Sequence, residues 1–541
     1  MKMVKSLILG SAAGLIAMSG AQAADLPVKA KAVEYVRICS LYGAGFFYIP
    51  GTDTCIKLGG YLRVDTTFNG GIYDQPAWSG NLGAGDRFAD RINSRSRLAL
   101  TVDTRTATEY GVVRTFGQAD FQFNNFGSQS GSTSSSGPGN GIGSAGSSGG
   151  TGFVTAGQLS GLNGSLLNNP GGGYVAVEMA FIQFAGFTFG KSASAYATPW
   201  HGYPGNNTSF LIGGHDTVTG VNNIQYTAQF GNGVSGTIGL DDPTVFNRTA
   251  LYNLSQPIGG NGLSTTAYGG FVAPDLVGNI RVDQAWGLFQ ISGALHTVNA
   301  SYNNVQAFNT PGVTSSILSG HPDTKVGGSV MAALQIKNIP TGPGDDIKID
   351  ASWAKGDTKN VISTSAASPS FFMMGGTPGQ FGPSNTVGVG ATTDGVFTPR
   401  LGQGASALAG DGSIHLTEAF GIRGAFNHNW DPYWSTSLFG GAAWVRYDDV
   451  ARANFCAAVP ALNQATITSC NPNFSTGQIG VVTRWTPVKN LTFSAEAMYF
   501  LLHQNIQGSA VFTPGGVQPT QLYTFHDQST ASFNVRVQRN F

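Results

Sequence analysis

Apolar residues recur at every second position along much of this chain, and that period constrains its fold more than any other feature. Around residue 97, for example, Ile92, Leu98 and Leu100 alternate with Arg95 and Arg97. The alternation covers 56–64, 91–105, 223–230, 346–353 and 532–541. A period of two is typical of β-strands that have one polar and one apolar face. The pattern therefore predicts an all-β protein.

The connections between these segments narrow the architecture. Tight-turn sequences such as Gly231-Asn232-Gly233 and Asp431-Pro432 alternate with long polar stretches rich in Gly, Ser and Asn. The long stretches lie near 68–90, 124–173, 193–221, 242–276, 299–325, 355–415, 447–476 and 502–528. Eight long loops and seven short turns imply sixteen antiparallel strands, with both chain ends on the short-turn side. Long loops on one rim and short turns on the other predict a transmembrane β-barrel over 56–541.

Composition excludes several classes of protein. Charged residues make up 11% of the chain, whereas soluble domains average about 25%. The 29 basic and 29 acidic residues balance, which argues against a nucleic-acid partner. No Cys-x-x-Cys occurs and the eight histidines are scattered, so we predict neither a metal site nor a cofactor. Soluble enzyme motifs are absent from the sequence, and we expect no catalytic residues.

The N-terminus has the pattern of a secretory signal peptide. Lys2 and Lys5 precede the apolar stretch Leu7–Met18, and small residues end at Ala21-Gln22-Ala23. The apolar stretch is too short for a transmembrane anchor, which needs about 20 residues. We therefore predict a signal peptide at 1–23, an N-terminal lead-in segment at 24–55 and export across the inner membrane.

The exported chain contains four cysteines, Cys39, Cys55, Cys456 and Cys470. An even number of cysteines in an oxidising compartment favours disulfides, and four cysteines allow three connectivities. We favour Cys39–Cys55 and Cys456–Cys470, because each pair closes a short loop.

Several motifs resemble those of the alphaproteobacterial outer-membrane porins, of the general diffusion type. They are Val33–Cys39, Gly43–Gly51, Cys55–Arg63, Arg95–Leu98, Glu109–Gly111, Arg281–Gly287 and the closing Val535–Phe541. The resemblance covers most of the predicted strands and fails mainly in the long loops. It is most specific in the first and last motifs.

The resemblance implies a sixteen-stranded barrel in the outer membrane of a Gram-negative bacterium. It also implies a homotrimer in contact with outer-membrane lipid and lipopolysaccharide, and a barrel-assembly machinery that reads the C-terminal Phe541. The third long loop, about Ala193–Val221, would fold into the lumen as a constriction. The expected function is a water-filled channel for passive diffusion of small hydrophilic solutes and ions. The alternatives are a channel selective for a solute such as a sugar or an oxyanion, and a barrel adhesin or enzyme.

Charged residues on the polar faces predict the constriction itself. Arg63, Arg95, Arg97 and Arg114 place four positive charges on three consecutive strands, and the inferred loop offers Asp216 as a counter-charge. This imbalance predicts a weak preference for anions. Acidic residues on the same faces would offset it: Asp65, Asp103, Asp120 and Glu178.

Overall fold

The computed structural model describes most of the chain after the predicted signal peptide, residues 1–23, which lies outside the described ranges. The described ranges are 37–70, 92–124, 174–215, 218–244, 248–255, 266–304, 316–362, 370–375, 385–400, 410–458, 466–512 and 520–541. The chain divides into two compact units, Met1–Ile56 and Lys57–Phe541.

Sixteen antiparallel strands form a barrel. They are β1 (Thr54–Phe68), β2 (Ile92–Thr108), β3 (Gly111–Asn124), β4 (Tyr174–Phe184), β5 (Phe187–Ser192), β6 (Val221–Gly231), β7 (Val234–Asp241), β8 (Asp275–Gln284), β9 (Gly287–Val298), β10 (Lys325–Lys337), β11 (Asp346–Lys355), β12 (Glu418–Asn429), β13 (Trp434–Arg446), β14 (Phe474–Val488), β15 (Leu491–Gln504) and β16 (Gln528–Asn540). Each strand pairs with its neighbour in the chain. The predicted strand number is confirmed.

The last strand closes the barrel on the first. β16 pairs with β1 from Tyr61↔Asn540 to Phe68↔Phe533. The Phe541 N–H donates to the Gly60 carbonyl at 3.1 Å, so the C-terminal residue belongs to the closing ladder. A closed antiparallel sheet satisfies every backbone group internally, which a sheet in lipid requires.

Short turns join the strands at one rim and long connections join them at the other, as predicted. The β6–β7 turn shows how the sequence encodes such a hairpin. Asn232 and Gly233 have φ angles of 49° and 74°, and two successive left-handed residues match the twist of the flanking strands. A Cβ atom at Gly233 would lie 2.0 Å from the Asp283 carbonyl oxygen, so only glycine fits there.

The two faces of each strand differ as the alternation predicts. Leu62, Leu98 and Val535 are 51%, 40% and 40% exposed on the outer face, which forms an apolar band suited to lipid. Tryptophans lie exposed beside the short turns: Trp286, Trp430, Trp434 and Trp485. Such rings are typical of the membrane interface.

The long connections contain folded structure of their own. A five-stranded sheet contains Phe371–Gly375, Thr386–Gly390, Gln521–Phe525, Gln507–Phe512 and Ile467–Ser469, and a three-stranded sheet contains Ile414–Leu416, Thr393–Phe397 and Ala250–Asn253. The helices are Lys359–Ile362, Asp449–Ala458 and the 3₁₀ turn Ser316–Ser319. We call the described parts of 242–274, 356–417, 447–473 and 505–527 the loop cap. None of the described helices is long and apolar enough to cross a membrane.

The loop cap has a hydrophobic core built around aromatic side chains. Phe371 packs against Phe500 of β15 at a ring-centroid distance of 5.3 Å, and the cap residues Tyr252 and Phe455 are buried with them and with Phe474 of β14. Polar groups of the cap converge on the buried Asp394, whose carboxylate accepts bonds from the backbone N–H groups of Thr249 at 2.9 Å and Thr358 at 2.7 Å. The cap is therefore an ordered structure and not a set of independent loops.

Both disulfides have the pairing favoured from loop length. Cys39–Cys55 lies in the N-terminal unit, where it is buried with Phe46 next to the 3₁₀ turn Ser40–Tyr42 and the short strand Phe47–Tyr48. Cys456–Cys470 joins the helix Asp449–Ala458 to the end of the strand Ile467–Ser469 in the loop cap. Each closes a short loop of the unfolded chain, which stabilises the fold mainly by reducing the entropy of that chain.

Candidate pore constriction

The inner face of β1, β2 and β16 carries a buried chain of charges. Arg95 donates two hydrogen bonds to Asp65 Oδ2, at 2.7 and 3.0 Å, and Arg536 binds Asp65 Oδ1. All three side chains point away from the exposed apolar face, because their positions have the opposite parity to Leu62 and Val535. One carboxylate thus compensates two guanidinium groups.

A second cluster lies on β2, β3 and β4. Arg97, 4% exposed, donates to Asp120 Oδ2 at 2.7 Å and to Gln122 Oε1 at 2.6 Å. Glu178 Oε1 lies 3.8 Å from the Arg97 guanidinium. Arg95 and Arg97 are therefore held in place by the acidic neighbours that the sequence placed on the same faces.

Arg114 and Arg63 are more accessible. Arg114 donates to Asp103 Oδ2 at 3.0 Å and to Gln183 Oε1 at 2.8 Å, and its side chain is 28% exposed. Arg63 donates to Gln538 Oε1 at 2.8 Å and lies over the Tyr61 ring at 4.5 Å. Among the described residues, no carboxylate lies within ion-pair distance of Arg63, which distinguishes it from the other three predicted arginines.

The described parts of 193–220 contact the inner faces of β8 to β16, and Thr219 donates to Glu178 Oε2 on β4 at 2.6 Å. We call these parts the inward loop. Its first part follows β8 to β10. Asn279 and Gln290 donate to the carbonyls of Ala195 and Ala197 at 2.6 and 2.8 Å, and Trp200 packs in a cluster with Met331.

The middle of the inward loop reaches β14, β15 and β16. Arg484 and Arg536 donate to the carbonyls of Gly205 at 2.5 Å and Asn207 at 2.6 Å. Glu496 accepts the Asn207 N–H. The loop therefore contacts the wall through charged side chains and its own backbone.

The last part of the inward loop returns to β11, β12 and β14. Arg423, 1% exposed, binds Asp350 at 3.0 Å and donates to the carbonyls of Leu211 at 3.3 Å and His215 at 2.5 Å. Gln478 Oε1 accepts the Ile212 N–H at 2.7 Å. The predicted counter-charge, Asp216, lies outside the described residues.

Hydrophobic contacts join the inward loop to the loop cap. Phe210 and Ile212 are buried in the same cluster as Val361 and Phe371 of the cap. The Gly213 N–H also donates to the Val361 carbonyl at 3.0 Å. The inward loop is therefore held on one side by the barrel wall and on the other by the cap.

The wall residues that hold the inward loop were not identified as site residues from the sequence. Arg423, Arg484 and Glu496 lie on strands whose inner faces are partly small or apolar, so the alternation around them is weak. Asp350 and Arg536 do fall on clear polar faces. The alternation of odd and even positions could have placed these two residues in the lumen. It gives no information about which residues they contact there.

Outside the spanning strands, the β10–β11 turn holds an unusual acidic group. Burial opposes ionisation of Asp345, but hydrogen bonds from Thr341, from the Asn429 N–H and from His428 outweigh it and lower the pKa of the carboxyl to about 2.

In the loop cap, burial and the neighbouring Asp394 raise the pKa of the Tyr268 hydroxyl well above its usual value.

A closed sheet of sixteen strands with an apolar outer band and a charged inner face defines a transmembrane β-barrel of the channel-forming class. The chain belongs to the porin family: the model of the Porin subfamily matches residues 25–533.

Curated relatives show the same similarity. Porin Omp2b of Brucella canis is 33% identical over 296 residues, which cover 52% of this chain and 63% of the relative. Porin Omp2b of Brucella melitensis is 32% identical with the same coverage. The chain thus aligns with less than two thirds of the length of these relatives. The outer membrane channel DcaP of Acinetobacter baumannii superposes with a TM-score of 0.49 at 14% identity, over 91% of this chain and 99% of that one.

Proposed function

We propose that this protein is an outer-membrane porin that forms a water-filled channel for passive diffusion of small hydrophilic solutes and ions. The observation that carries the proposal is the inward loop, which contacts the inner faces of β8 to β16 and Glu178 on β4 and leaves the charged faces of β2 and β3 opposite it. A sixteen-stranded barrel is too wide for side chains to fill, so water occupies the remaining space. The inward loop sets the narrowest cross-section.

Solutes would cross this cross-section in an ordered electric field. The arginine–carboxylate pairs Arg95–Asp65, Arg97–Asp120 and Arg114–Asp103 are fixed dipoles on one wall of the lumen. A polar solute gains by aligning with such dipoles as it loses part of its hydration, whereas a bulky or apolar solute gains nothing. The constriction therefore selects for hydrophilicity and size.

The proposal extends to the assembly that the family resemblance implies. We infer a homotrimer in the outer membrane, reached after removal of the signal peptide, with lipopolysaccharide around the long-loop rim. Phe541 extends the closing ladder and leaves an exposed aromatic side chain at the end of β16. An exposed terminal aromatic ring next to a free strand end suits recognition by the barrel-assembly machinery.

We infer that Arg63 gives the channel a weak anion preference. Three of the four constriction arginines have carboxylate partners that offset their charge in part, although Asp65 is shared with Arg536 and Asp103 with Arg105. Arg63 has a neutral amide partner, and its charge remains uncompensated at close range. We therefore expect selectivity to depend on Arg63 more than on Arg95 or Arg97.

The zero-current potential across a tenfold KCl gradient tests both inferences. A fully selective channel would give a zero-current potential of about 59 mV. We expect a potential that is a small fraction of this value and has the sign of anion preference. Arg63→Gln should move it towards cations. Arg539→Gln is the matched control: Arg539 pairs with Leu62 in register and belongs to the outer face, so removing its charge should change nothing.

A cation-selective wild type, or an Arg63→Gln channel with an unchanged potential, would remove Arg63 from the mechanism. Absence of any ionic conductance in a folded preparation would refute the channel itself. A single solute that saturates or blocks the current would favour the solute-selective alternative.

A further inference from the structure

Two aromatic rings lie on the inner face of the barrel, among neighbours that are otherwise polar. Phe116 on β3 pairs in register with Phe181 on β4, and their positions have the parity of the inner-face residues Arg114 and Gln183. The two ring centroids are 5.3 Å apart, with an angle of 27° between the ring planes. Both side chains are half-buried, so part of each ring faces the lumen. Contact between apolar rings and water is unfavourable, and diffusion of hydrophilic solutes does not need such a surface.

A cationic group lies directly beside the two rings. The Arg114 Cζ atom is 5.3 Å from the Phe116 ring centroid and 5.5 Å from the Phe181 ring centroid. Arg114 and Arg105 both bind the Asp103 carboxylate, each at 3.0 Å. Two guanidinium groups thus share one carboxylate, and this trio keeps one positive charge next to the aromatic pair.

Arg114 keeps hydrogen-bond donors for a further acceptor. A guanidinium group has five N–H donors. Its Nε and Nη2 groups donate to Asp103 and its Nη1 group donates to Gln183, which leaves one N–H on each terminal nitrogen without a recorded partner among the described residues. The Arg114 side chain is 28% exposed, so a carboxylate in the lumen can reach these donors. A ring attached to that carboxylate would lie within reach of both phenyl rings.

The neighbouring strand leaves one flank of the aromatic pair open. Phe181 faces Gly190 of β5 in register, so no side chain of β5 covers the ring at that level. Gly190 has a φ angle of 117°, and a Cβ atom there would lie 2.5 Å from the Ala180 carbonyl oxygen, so only glycine fits. The inward loop ends just before this level, where the Gly220 N–H donates to the Glu178 carbonyl at 3.0 Å. The rings therefore lie between the inward loop and the short-turn rim.

We propose that these groups form a binding subsite for aromatic monocarboxylates, with the carboxylate at Arg114 and the ring against Phe116 and Phe181. The one excess positive charge complements a single carboxylate, and two phenyl rings favour offset or edge contacts with a flat ring. A small inorganic anion would not use the rings, and a sugar would not use the charge. The inference rests on the proposed channel function and deepens it, because it names a class of solute that the lumen binds beside the constriction.

A fluorine NMR titration of the detergent-purified protein with para-fluorobenzoate tests the subsite. Two comparison ligands separate its parts: para-fluorobenzamide keeps the ring and lacks the charge, and fluoroacetate keeps the carboxylate and lacks the ring. We expect the wild type to bind para-fluorobenzoate at least about tenfold more tightly than either comparison ligand, which corresponds to about 1.4 kcal/mol.

Three variants assign the binding to these residues. Phe116→Leu with Phe181→Leu keeps apolar side chains but removes both rings, and it should weaken binding of para-fluorobenzoate about tenfold. Phe187→Leu with Phe189→Leu is the matched control, because it removes a stacked pair of rings from the outer face of β5 and should bind like the wild type. Arg114→Gln should weaken binding of para-fluorobenzoate by a similar factor and leave binding of para-fluorobenzamide unchanged.

The proposal is overturned if the inner-face double variant or Arg114→Gln binds para-fluorobenzoate as tightly as the wild type does. It is also overturned if the outer-face control loses as much affinity, because contact with the detergent would then account for the binding. Equal wild-type affinity for either comparison ligand would contradict the assigned class of solute. Conductance separates this test from the proposed function. A wild type that conducts without binding para-fluorobenzoate would refute the subsite alone, and one that binds it without conducting would refute the channel alone.

Discussion

Replacement of Arg423 by methionine tests how the inward loop is held. The Arg423 guanidinium binds Asp350 on β11 and also donates to the carbonyls of Leu211 and His215 in the loop. Methionine keeps most of the side-chain volume and removes every one of these bonds. The single variant therefore loses two functions together, the compensation of a buried carboxylate and the attachment of the loop.

The two losses have different magnitudes. Breaking a buried ion pair by removing one partner costs about 3–5 kcal/mol, mostly because the other charge is left in a low-dielectric site. Each charge-assisted bond to a loop carbonyl contributes about 1.5–3 kcal/mol, part of which water recovers when the loop detaches. The double variant Arg423→Met with Asp350→Asn avoids the uncompensated charge, so it should recover at least about 2 kcal/mol of the loss.

The free energy of unfolding in urea, followed by tryptophan emission in lipid vesicles, measures the first effect, and single-channel recording measures the second. We expect the double variant to be more stable than the single variant, while both show a noisier open-channel current than the wild type. Arg114→Met is the control, because it removes a partly exposed pair on the other wall and should cost about 1 kcal/mol or less. A single variant as stable as the double variant would refute the electrostatic reasoning, and a quiet double variant would refute the role of Arg423 in fixing the loop.

Three other predictions concern the lipid face, the assembly and the β10–β11 turn. Val535→Arg should cost about 2–4 kcal/mol near the bilayer midplane and reduce the yield of folded barrel on gels, whereas Arg63→Gln on the opposite face should not. Unboiled protein should migrate on detergent gels as a compact oligomer and boiled protein near 56.2 kDa less the signal peptide; a monomer band before boiling would contradict the trimer and leave the barrel intact. Because the pKa of Asp345 is lowered to about 2, its ionised form stabilises the fold fully above its ordinary value of 3.8, and that contribution is lost as the pH falls through about 2. Asp345→Asn should flatten the dependence of the unfolding free energy on pH between pH 4 and pH 2. An unchanged dependence would contradict the lowered pKa of Asp345.

The barrel could be predicted from the sequence because its signals are local. The alternation around Leu98 sets the outer face of β2 without reference to any other strand, and Asn232-Gly233 specifies a hairpin within four residues. The folded loop cap could not be predicted in the same way. Its three-stranded sheet pairs Thr393–Phe397 in parallel with Ala250–Asn253, and its five-stranded sheet combines three separate connections. Such pairings depend on contacts between distant segments, which periodicity does not encode.

The candidate site was predictable in part for the same reason. Parity places Arg95 and Arg97 on the inner face, and it places Asp65 and Asp120 there as well. It does not give the register that makes them partners, so the sequence alone treats the arginines as an excess of positive charge. The contacts of Arg484 and Glu496 with the inward loop cross the lumen and have no local signal at all.

The pairing of the inner-wall charges would also make a strongly polar constriction compatible with the weak selectivity that we propose. Unpaired guanidinium groups on a wall backed by lipid would raise the cost of folding and attract tightly bound counter-ions that obstruct the pore. A carboxylate beside a guanidinium lowers both costs, although Asp65 and Asp103 are each shared by two arginines. A dipole's field falls off faster than that of a single charge, so it acts on a solute in contact with the wall and hardly on an ion in the bath. If the protein conducts as proposed, we expect polar molecules of either sign to enter, and we expect the small residual preference to depend on Arg63, whose partner Gln538 carries no charge.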